Sequence, residues 1–423
     1  MNAGCSRHKP AAPTDRTVID YWEMWSGFEL AAMKQLVDKF NQSQNEIYVN
    51  ILSVSELQRK LLIAIAGNDP PDLANLQDSI IPQLADKNAI EPFDELLPLI
   101  GVEKDDYIDI YWQLCLYENN LYGLPLAPTT IALHWNKDIF TKAGLDPNNP
   151  PETLEQLDQI AEQLTIKNGN NFDVLGFVPT QPGWWNYAWA WWFGGDWWDG
   201  KNITANRPEN IEAFEWIQSY AQKYGAKALQ NFTSGFGAFS WSDDRFMSDK
   251  LGIVLQGIWM SRFIEQFSPQ MKWGAAAFPS AGGKLKDMTM AECNVLVIPK
   301  GAKHKKEAAK FISFLQKPEN LAYLAMRQNK FVPLKIADNI DYSQHPNKEI
   351  KLFIRLSESE NVRSVPRIPI WQEYAHEIDN AFQTVWLQKK TPKQALDEVQ
   401  KIMEAKWQKY RDLKSRMQQE GNE

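Results

Sequence analysis

The chain has 423 residues, which is enough for two domains or for one large two-lobed body with a sizeable core. Hydrophobic residues make up 44% of it and charged residues 23%, as is typical of a globular protein. The 45 Lys and Arg against 53 Asp and Glu give a formal net charge of −8, so the electrostatics argue against nucleic-acid binding.

The first sixteen residues predict a tether. Small residues precede Cys5, and the polar residues that follow are broken by Pro10 and Pro13. This pattern is similar to the end of a bacterial lipoprotein signal, so we expect a lipid at Cys5; the alternative is a flexible terminus with a chance cysteine. No run of 18 apolar residues predicts a membrane-spanning helix, so a lipid anchor would be the only membrane contact. Cys115 and Cys293 could form one disulfide or remain thiols.

The first hundred residues alternate between strand and helix patterns. Residues 17–22 are β-branched and aromatic and predict a strand, and apolar residues spaced by four predict a helix over 28–40. A strand at 47–52, a helix at 57–66 and a strand at 73–76 follow. This order favours a parallel, doubly wound sheet, in which ligands bind beyond the carboxyl ends of the strands. The rule points to residues 23–29 after the first strand and to residues 77–78 after the third.

Residues 123–128 form an extended segment with two prolines, and this pattern predicts that the chain crosses into a second lobe there. The elements predicted after it are strands at 130–135, 251–255 and 294–298 and helices at 137–143, 150–165, 208–224, 303–316 and 392–403.

Residues 183–200 hold seven of the 18 tryptophans, interrupted by glycines and followed by carboxylates. An indole face can pack against the C–H face of a sugar ring while neighbouring polar groups bind its hydroxyls. Packing of a large core is the alternative for each ring. We interpret the cluster as a carbohydrate site.

Several fragments together resemble one family. They are NDPPDL at 68–73, YGLPL at 122–126, ALHWNKDIF at 132–140, QGIW at 256–259, VIPKG at 297–301 and AAKFI at 308–312. In their order and spacing they resemble the extracellular solute-binding proteins of bacterial ABC sugar importers, of the maltose/trehalose-binding type.

The resemblance implies a periplasmic-binding-protein-like α/β fold, with two doubly wound lobes joined by a hinge and a cleft between them. The lobes would close on a sugar, and the ABC permease subunits would recognise the closed form. The implied division is a tether at 1–16, the first lobe at 17–126 and 293–340, and the second lobe at 127–292 and 341–423.

The resemblance also implies sites around the cleft. Trp259 in the QGIW fragment is the first choice for a stacking platform, and acidic side chains would accept hydrogen bonds from sugar hydroxyls. The full set of expected ligand-binding residues is Trp25, Glu29, Asp78, Thr129, Thr130, Trp184, Trp185, Asp196, Trp259, Glu292 and Arg367.

The expected protein is a monomeric, non-catalytic receptor without cofactor or metal, held outside the cytoplasm by its lipid. Its ligand would be a neutral disaccharide such as trehalose, sucrose or maltose, or a glucosyl-polyol osmolyte. One rival is a glycoside hydrolase, for which Asp196 with Asp199, or Asp243 with Asp244, are formal carboxylate pairs. The other is a receptor for a betaine-type cation bound in an aromatic cage.

Overall fold

A computed structural model describes residues 15–234, 243–335 and 340–420; the predicted lipidation site Cys5 lies outside these ranges. Cys115 and Cys293 are both buried free thiols. No helix in the described ranges is long and apolar enough to cross a membrane.

The strands in the described ranges are β1 (Thr17–Glu23), β2 (Ile47–Ser53), β3 (Leu73–Gln77), β4 (Leu116–Tyr117), β5 (Asn120–Leu121), β6 (Leu124–Asn136), β7 (Ile166–Asn168), β8 (Asn171–Val174), β9 (Ile253–Gly257), β10 (Trp273–Ala276), β11 (Thr289–Val297) and β12 (Val362–Arg363). The helices of the first half are α1 (Gly27–Ser43), α2 (Leu57–Ala66), α3 (Ile81–Asp86), α4 (Leu97–Ile100), α5 (Asp109–Gln113), α6 (Lys137–Lys142), α7 (Leu154–Leu164) and α8 (Trp189–Trp192). Those of the second half are α9 (Pro208–Tyr224), α10 (Ala226–Ser234), α11 (Met260–Phe267), α12 (Lys305–Leu315), α13 (Pro318–Gln328), α14 (Ile350–Ser357), α15 (Trp371–Trp386) and α16 (Pro392–Glu420).

Eight of these strands form one sheet. Its central order is β10-β6-β11-β3-β1-β2, with β9 beside β6 and β12 beside β11. Strand β1 is parallel to β2 and β3, as the alternating pattern predicted, while β11 runs antiparallel to both β3 and β6. The fold is therefore α/β, in agreement with the predicted class, and its sheet mixes parallel and antiparallel strands.

The apolar side chains form two cores, one for each lobe. The first contains side chains from β1–β3, α1–α5 and α12–α14, and the second contains side chains from α6–α11, α15 and α16. Ile350, Phe353 and Leu356 of α14 belong to the first core, although the sequence-based division put them in the second lobe. Strands β6 and β11 contribute to both cores and pair with each other, so they connect the lobes.

Helix α16 starts in the second lobe and reaches the first. Its residue Trp407 lies 5.0 Å from Trp198, measured between ring centroids. Further along, Tyr410 donates a hydrogen bond of 2.6 Å to Asp86 of the first lobe, and Lys414 forms an ion pair with the same carboxylate. The lobes are thus in contact through this helix as well as through the sheet.

Candidate functional site

A cavity of about 440 Å³ lies between the two lobes. The first lobe contributes residues that follow the carboxyl ends of β1 and β3, and the second contributes residues around α8 and α11, as expected for doubly wound lobes. Strands β6 and β11 supply its floor. Its lining residues are Met24, Trp25, Ser26, Glu29, Gln77, Thr129, Trp184, Trp185, Trp259, Phe263, Glu292, Asn294 and Lys330.

Three indoles form one wall of this cavity. The ring centroids of Trp184, Trp185 and Trp259 lie 5.4 to 6.4 Å apart. The Trp259 ring lies against Gly257, where an added Cβ would come within 2.5 Å of it. Trp185 is buried, whereas Trp184 is 43% exposed at the cavity edge. The wall is aromatic, its three rings are inclined to one another by 41° to 85°, and the close contact with Gly257 fixes the Trp259 ring in place.

The opposite side carries an internal ion pair. Lys330 Nζ lies 2.8 Å from Glu29 Oε1 and 5.2 Å from the centroid of the Trp25 ring. Because the ammonium is 4% exposed and already paired, it is fixed as a hydrogen-bond donor beside the cavity.

A buried carboxylate supports the backbone of this side. Glu23 accepts hydrogen bonds from Trp25 N at 3.0 Å, from Asn75 Nδ2 at 2.7 Å and from the hydroxyl of Tyr21. Burial raises the pKa of Glu23 to about 7, although these hydrogen bonds oppose the rise. Glu23 therefore fixes the backbone at Trp25 and is not itself among the lining residues of the cavity.

One acidic residue, Glu292, lies at the cavity floor, and the buried Asp78 is close enough for its charge to affect it. Burial raises the pKa of Glu292 to about 8, the charge of Asp78 adds to the rise, and a hydrogen bond from Trp185 opposes it. Burial also raises the pKa of Asp78 to about 6, against the attraction of Arg367. At neutral pH the Glu292 carboxyl group is mostly protonated, so it can donate a hydrogen bond as well as accept one.

Seven of the eleven residues expected from the sequence line the cavity: Trp25, Glu29, Thr129, Trp184, Trp185, Trp259 and Glu292. Their binding roles remain predictions. Met24, Ser26 and Gln77 also line the cavity, within the two stretches that the rule for doubly wound sheets had indicated. The sequence analysis missed Lys330, Asn294 and Phe263, and nothing in the local sequence of Lys330 singles it out.

The other four expected residues are not among the lining residues. Asp78 accepts a hydrogen bond from Cys293 N at 2.9 Å and pairs with Arg367 at 3.4 Å, and Arg367 also donates to the carbonyl of Leu114 at 2.6 Å. Thr130 donates to the carbonyl of Phe353, because neighbouring strand residues face opposite sides.

The tryptophan-rich segment is mostly core. Trp189, Trp191, Trp192 and Trp197 are at most 3% exposed, within the second lobe. Asp196, the fourth expected residue outside the lining, accepts a hydrogen bond from Trp197 N at 2.7 Å in a turn of this segment. The interpretation of the whole cluster as a sugar site was therefore too broad, since only Trp184 and Trp185 of its seven indoles line the cavity.

The carboxylates considered for a hydrolase have local roles. Asp199 accepts hydrogen bonds from Lys201 N and Asn202 N, and Asp244 accepts them from Phe246 N and Met247 N. Neither lines the interlobe cavity. Within the described ranges, no group of three or more His, Cys, Asp or Glu side chains could hold a metal ion.

The model of one protein family, described as "Bacterial extracellular solute-binding protein", matches residues 29–322. The chain belongs to this family. The predicted resemblance is thereby confirmed, and with it the periplasmic-binding-protein-like fold. The cavity lies between two lobes, a position that small-molecule sites favour.

Individual relatives agree with this assignment. The solved structures of CpMnBP1 with mannobiose and mannotriose bound are 28% identical, have TM-scores of 0.83 and 0.82, and cover 92% and 91% of this chain and 99% of theirs. The arabinooligosaccharide-binding protein of Bacillus subtilis is 23% identical over 93% of this chain and 94% of its own length. The sn-glycerol-3-phosphate-binding periplasmic protein UgpB of Pectobacterium atrosepticum is 24% identical over 90% of this chain and 89% of its own length.

Proposed function

We propose that this protein is the receptor of an ABC importer, which captures a neutral saccharide in the interlobe cavity and delivers it to a membrane permease. The observation that carries the proposal is the wall of Trp184, Trp185 and Trp259 facing hydroxyl-binding groups across a cavity of about 440 Å³. That volume lies within the range of about 300 to 1,000 Å³ usual for small-molecule sites.

The charge around the cavity supports a neutral ligand. The ammonium of Lys330 is paired with Glu29 and lies over the Trp25 ring, so a cationic ligand would meet a like charge there. A phosphate or carboxylate would have to compete with Glu29 for the same ammonium. Saccharide hydroxyl groups, which both donate and accept, match a paired ammonium, a protonated Glu292 and the amides of Gln77 and Asn294.

Two of the similar proteins reported above are also named for, or were solved with, saccharides, whereas UgpB is named for sn-glycerol 3-phosphate. CpMnBP1 was solved with manno-oligosaccharides, and the Bacillus subtilis relative is named for arabino-oligosaccharides. For this chain we propose a neutral disaccharide or larger glycoside as ligand, with no reaction catalysed. We further propose a monomer, located outside the cytoplasm and held to the membrane by a lipid at Cys5.

Calorimetric titration tests the proposal. Purified protein is titrated with mannobiose, maltose, trehalose, sucrose, glucosylglycerol, glycine betaine and glycerol 3-phosphate, and each mixture is analysed by chromatography. We expect a neutral glycoside to bind and to be recovered intact, and to raise the melting temperature because it binds only the folded protein. Binding of betaine or glycerol 3-phosphate alone would refute the neutral ligand, and cleaved sugar would indicate a hydrolase.

A further inference from the structure

The ion pair of Lys330 and Glu29 sets the charge of the interlobe cavity. Among the described lining residues, Lys330 has the only cationic side chain, and Glu29 and Glu292 have the only acidic ones. Because burial raises the pKa of Glu292 to about 8, its carboxyl group is mostly neutral at pH 7. The charges of Lys330 and Glu29 therefore cancel, and removal of either one leaves the cavity wall charged.

Both partners of the pair belong to the first lobe. Glu29 lies in the first turn of α1, and Lys330 follows α13 directly after its cap residue Asn329. Helices α1 and α13 pack against each other, and Phe331 and Val332 belong to the first core. The pair is therefore complete within one lobe, and a ligand that enters the cleft meets it already formed.

The backbone of Lys330 is held by contacts that do not involve Glu29. Its N–H donates a hydrogen bond of 2.9 Å to the carbonyl of Ala325, and its carbonyl accepts one of 3.0 Å from Nε2 of His345. The N–H of Asn347 donates to Nδ1 of the same imidazole at 3.1 Å, so Nε2 carries the proton of the neutral ring. These contacts would keep Lys330 beside the cavity if Glu29 were replaced.

The ammonium group of Lys330 has the chemistry of an anion site that Glu29 occupies. It lies 5.2 Å from the centroid of the Trp25 ring, whose face attracts a cation, and it is 4% exposed. Of its three donors, one is directed at Oε1 of Glu29 over 2.8 Å. A buried ammonium without a partner is costly, so without Glu29 it would bind the phosphate or carboxylate group of a ligand instead.

We propose that Glu29 is a specificity-determining residue, which excludes anionic saccharides such as sugar phosphates and uronic acids from the cavity. An anionic ligand must displace the Glu29 carboxylate from Lys330 and is repelled by its charge, whereas a neutral saccharide leaves the pair intact. Replacement of Glu29 by a neutral residue converts the same place into an anion site. This inference rests on the proposed saccharide-binding function and adds the residue that selects the charge of the ligand.

Calorimetry with matched neutral and anionic probes tests the proposal. Glycerol, glucose and trehalose are compared with glycerol 3-phosphate, glucose 6-phosphate and trehalose 6-phosphate in wild type, in Glu29→Gln and in the Glu29→Gln/Lys330→Met double variant. The matched control is Glu162→Gln, which removes the carboxylate of another pair, 2.9 Å from Lys223, on the outer helices α7 and α9 of the second lobe. Urea denaturation shows whether each variant unfolds cooperatively.

We expect Glu29→Gln to bind at least one of the three phosphates at least tenfold more tightly than wild type does, and added salt should reduce this gain. The double variant and Glu162→Gln should show no gain. The role of Glu29 alone is overturned if folded Glu29→Gln shows no gain, or if the gain persists in the double variant. It is also overturned if wild type binds a phosphate more tightly than the neutral parent.

A second variant decides the question if Glu29→Gln does not fold. Lys330→Met leaves the Glu29 carboxylate unpaired, so it should bind glucosamine at least tenfold more tightly than wild type does, and no increase would overturn the proposal. If folded wild type binds none of the neutral glycosides of the first experiment, the proposed function itself fails, and the role of Glu29 with it.

Discussion

The raised pKa of Glu292 predicts that the ligand-free protein loses stability as the pH rises. Burial and the charge of Asp78 raise this pKa from its ordinary value of 4.5 to about 8, so the folded state holds a proton that the unfolded state releases. Between these two values the folded state binds more protons, and the free energy of unfolding falls with increasing pH. Glu292 contributes no such loss below about pH 4.5, and its full loss is reached above about pH 8.

The size of the effect follows from the shift. Each unit of pKa corresponds to about 1.4 kcal/mol, so a rise of about 3.5 units costs up to about 5 kcal/mol once Glu292 is ionised. The Glu292→Gln variant mimics the protonated acid and should be as stable as wild type at pH 5. At pH 8.5 it should be several kcal/mol more stable than wild type.

Urea denaturation at pH 5, 7 and 8.5 measures this difference. The exposed Glu212 of α9 provides the control, because Glu212→Gln should leave the pH dependence of wild type unchanged. Glu23 and Asp78 also have raised pKa values, so Glu292→Gln should reduce the slope without abolishing it. Parallel curves for wild type and Glu292→Gln would refute the assignment of a protonated acid at the cavity floor.

Three further predictions concern the two sides of the cavity. Trp259→Ala should weaken saccharide binding by about 2 kcal/mol, roughly 30-fold, whereas the control Trp407→Ala, remote from the cavity, should not. If calorimetry gives Trp259→Ala the same affinity as wild type, Trp259 is not part of the site. Gly257→Ala should weaken binding similarly with a cooperative unfolding transition retained, because the added Cβ displaces the Trp259 ring, and unchanged affinity would contradict that packing. Lys330→Met should lower the free energy of unfolding by about 2 to 3 kcal/mol, because it leaves Glu29 without its partner. Adding Glu29→Gln should restore part of that loss. A double variant that is less stable than Lys330→Met alone would argue against the ion pair.

Local patterns were sufficient for most of the fold. Helices α2 and α9 have the bounds that the sequence predicted, 57–66 and 208–224, because each combines a periodic apolar face with a proline or glycine boundary. Strand β6 was predicted as an extended segment and a separate strand, because Pro125 and Pro128 indicate a break. In the structure both prolines lie within one 13-residue strand. This strand pairs with β11 through a register that shifts near Asn294, and irregular pairing of this kind tolerates prolines.

The site was harder to predict, because it depends on the direction in which each side chain points and on contacts between residues far apart in the sequence. Thr129 and Thr130 are neighbours of the same type, and only the orientation of β6 decides that Thr129 faces the cavity. Lys330 and Glu29 form their ion pair although they are 301 residues apart in the sequence, and local sequence patterns cannot predict a contact over that separation. The indoles of 184–198 have similar sequence surroundings, and the tertiary packing of the second lobe decides which of them are buried.

Strands β6 and β11 have a consequence for how the protein can be divided. The first lobe takes its sheet from β1–β3 together with parts of both strands, and its core also needs α12–α14, which follow the second lobe's β9 and β10 in the chain. No single cut in the chain therefore gives two fragments that each hold one complete lobe. We expect the two fragments of a cut between β6 and β11 to expose apolar strand surface and to aggregate when each is produced alone, whereas the two produced together should reassemble through the β6–β11 pairing. The same two strands that connect the lobes also make the lobes interdependent in folding.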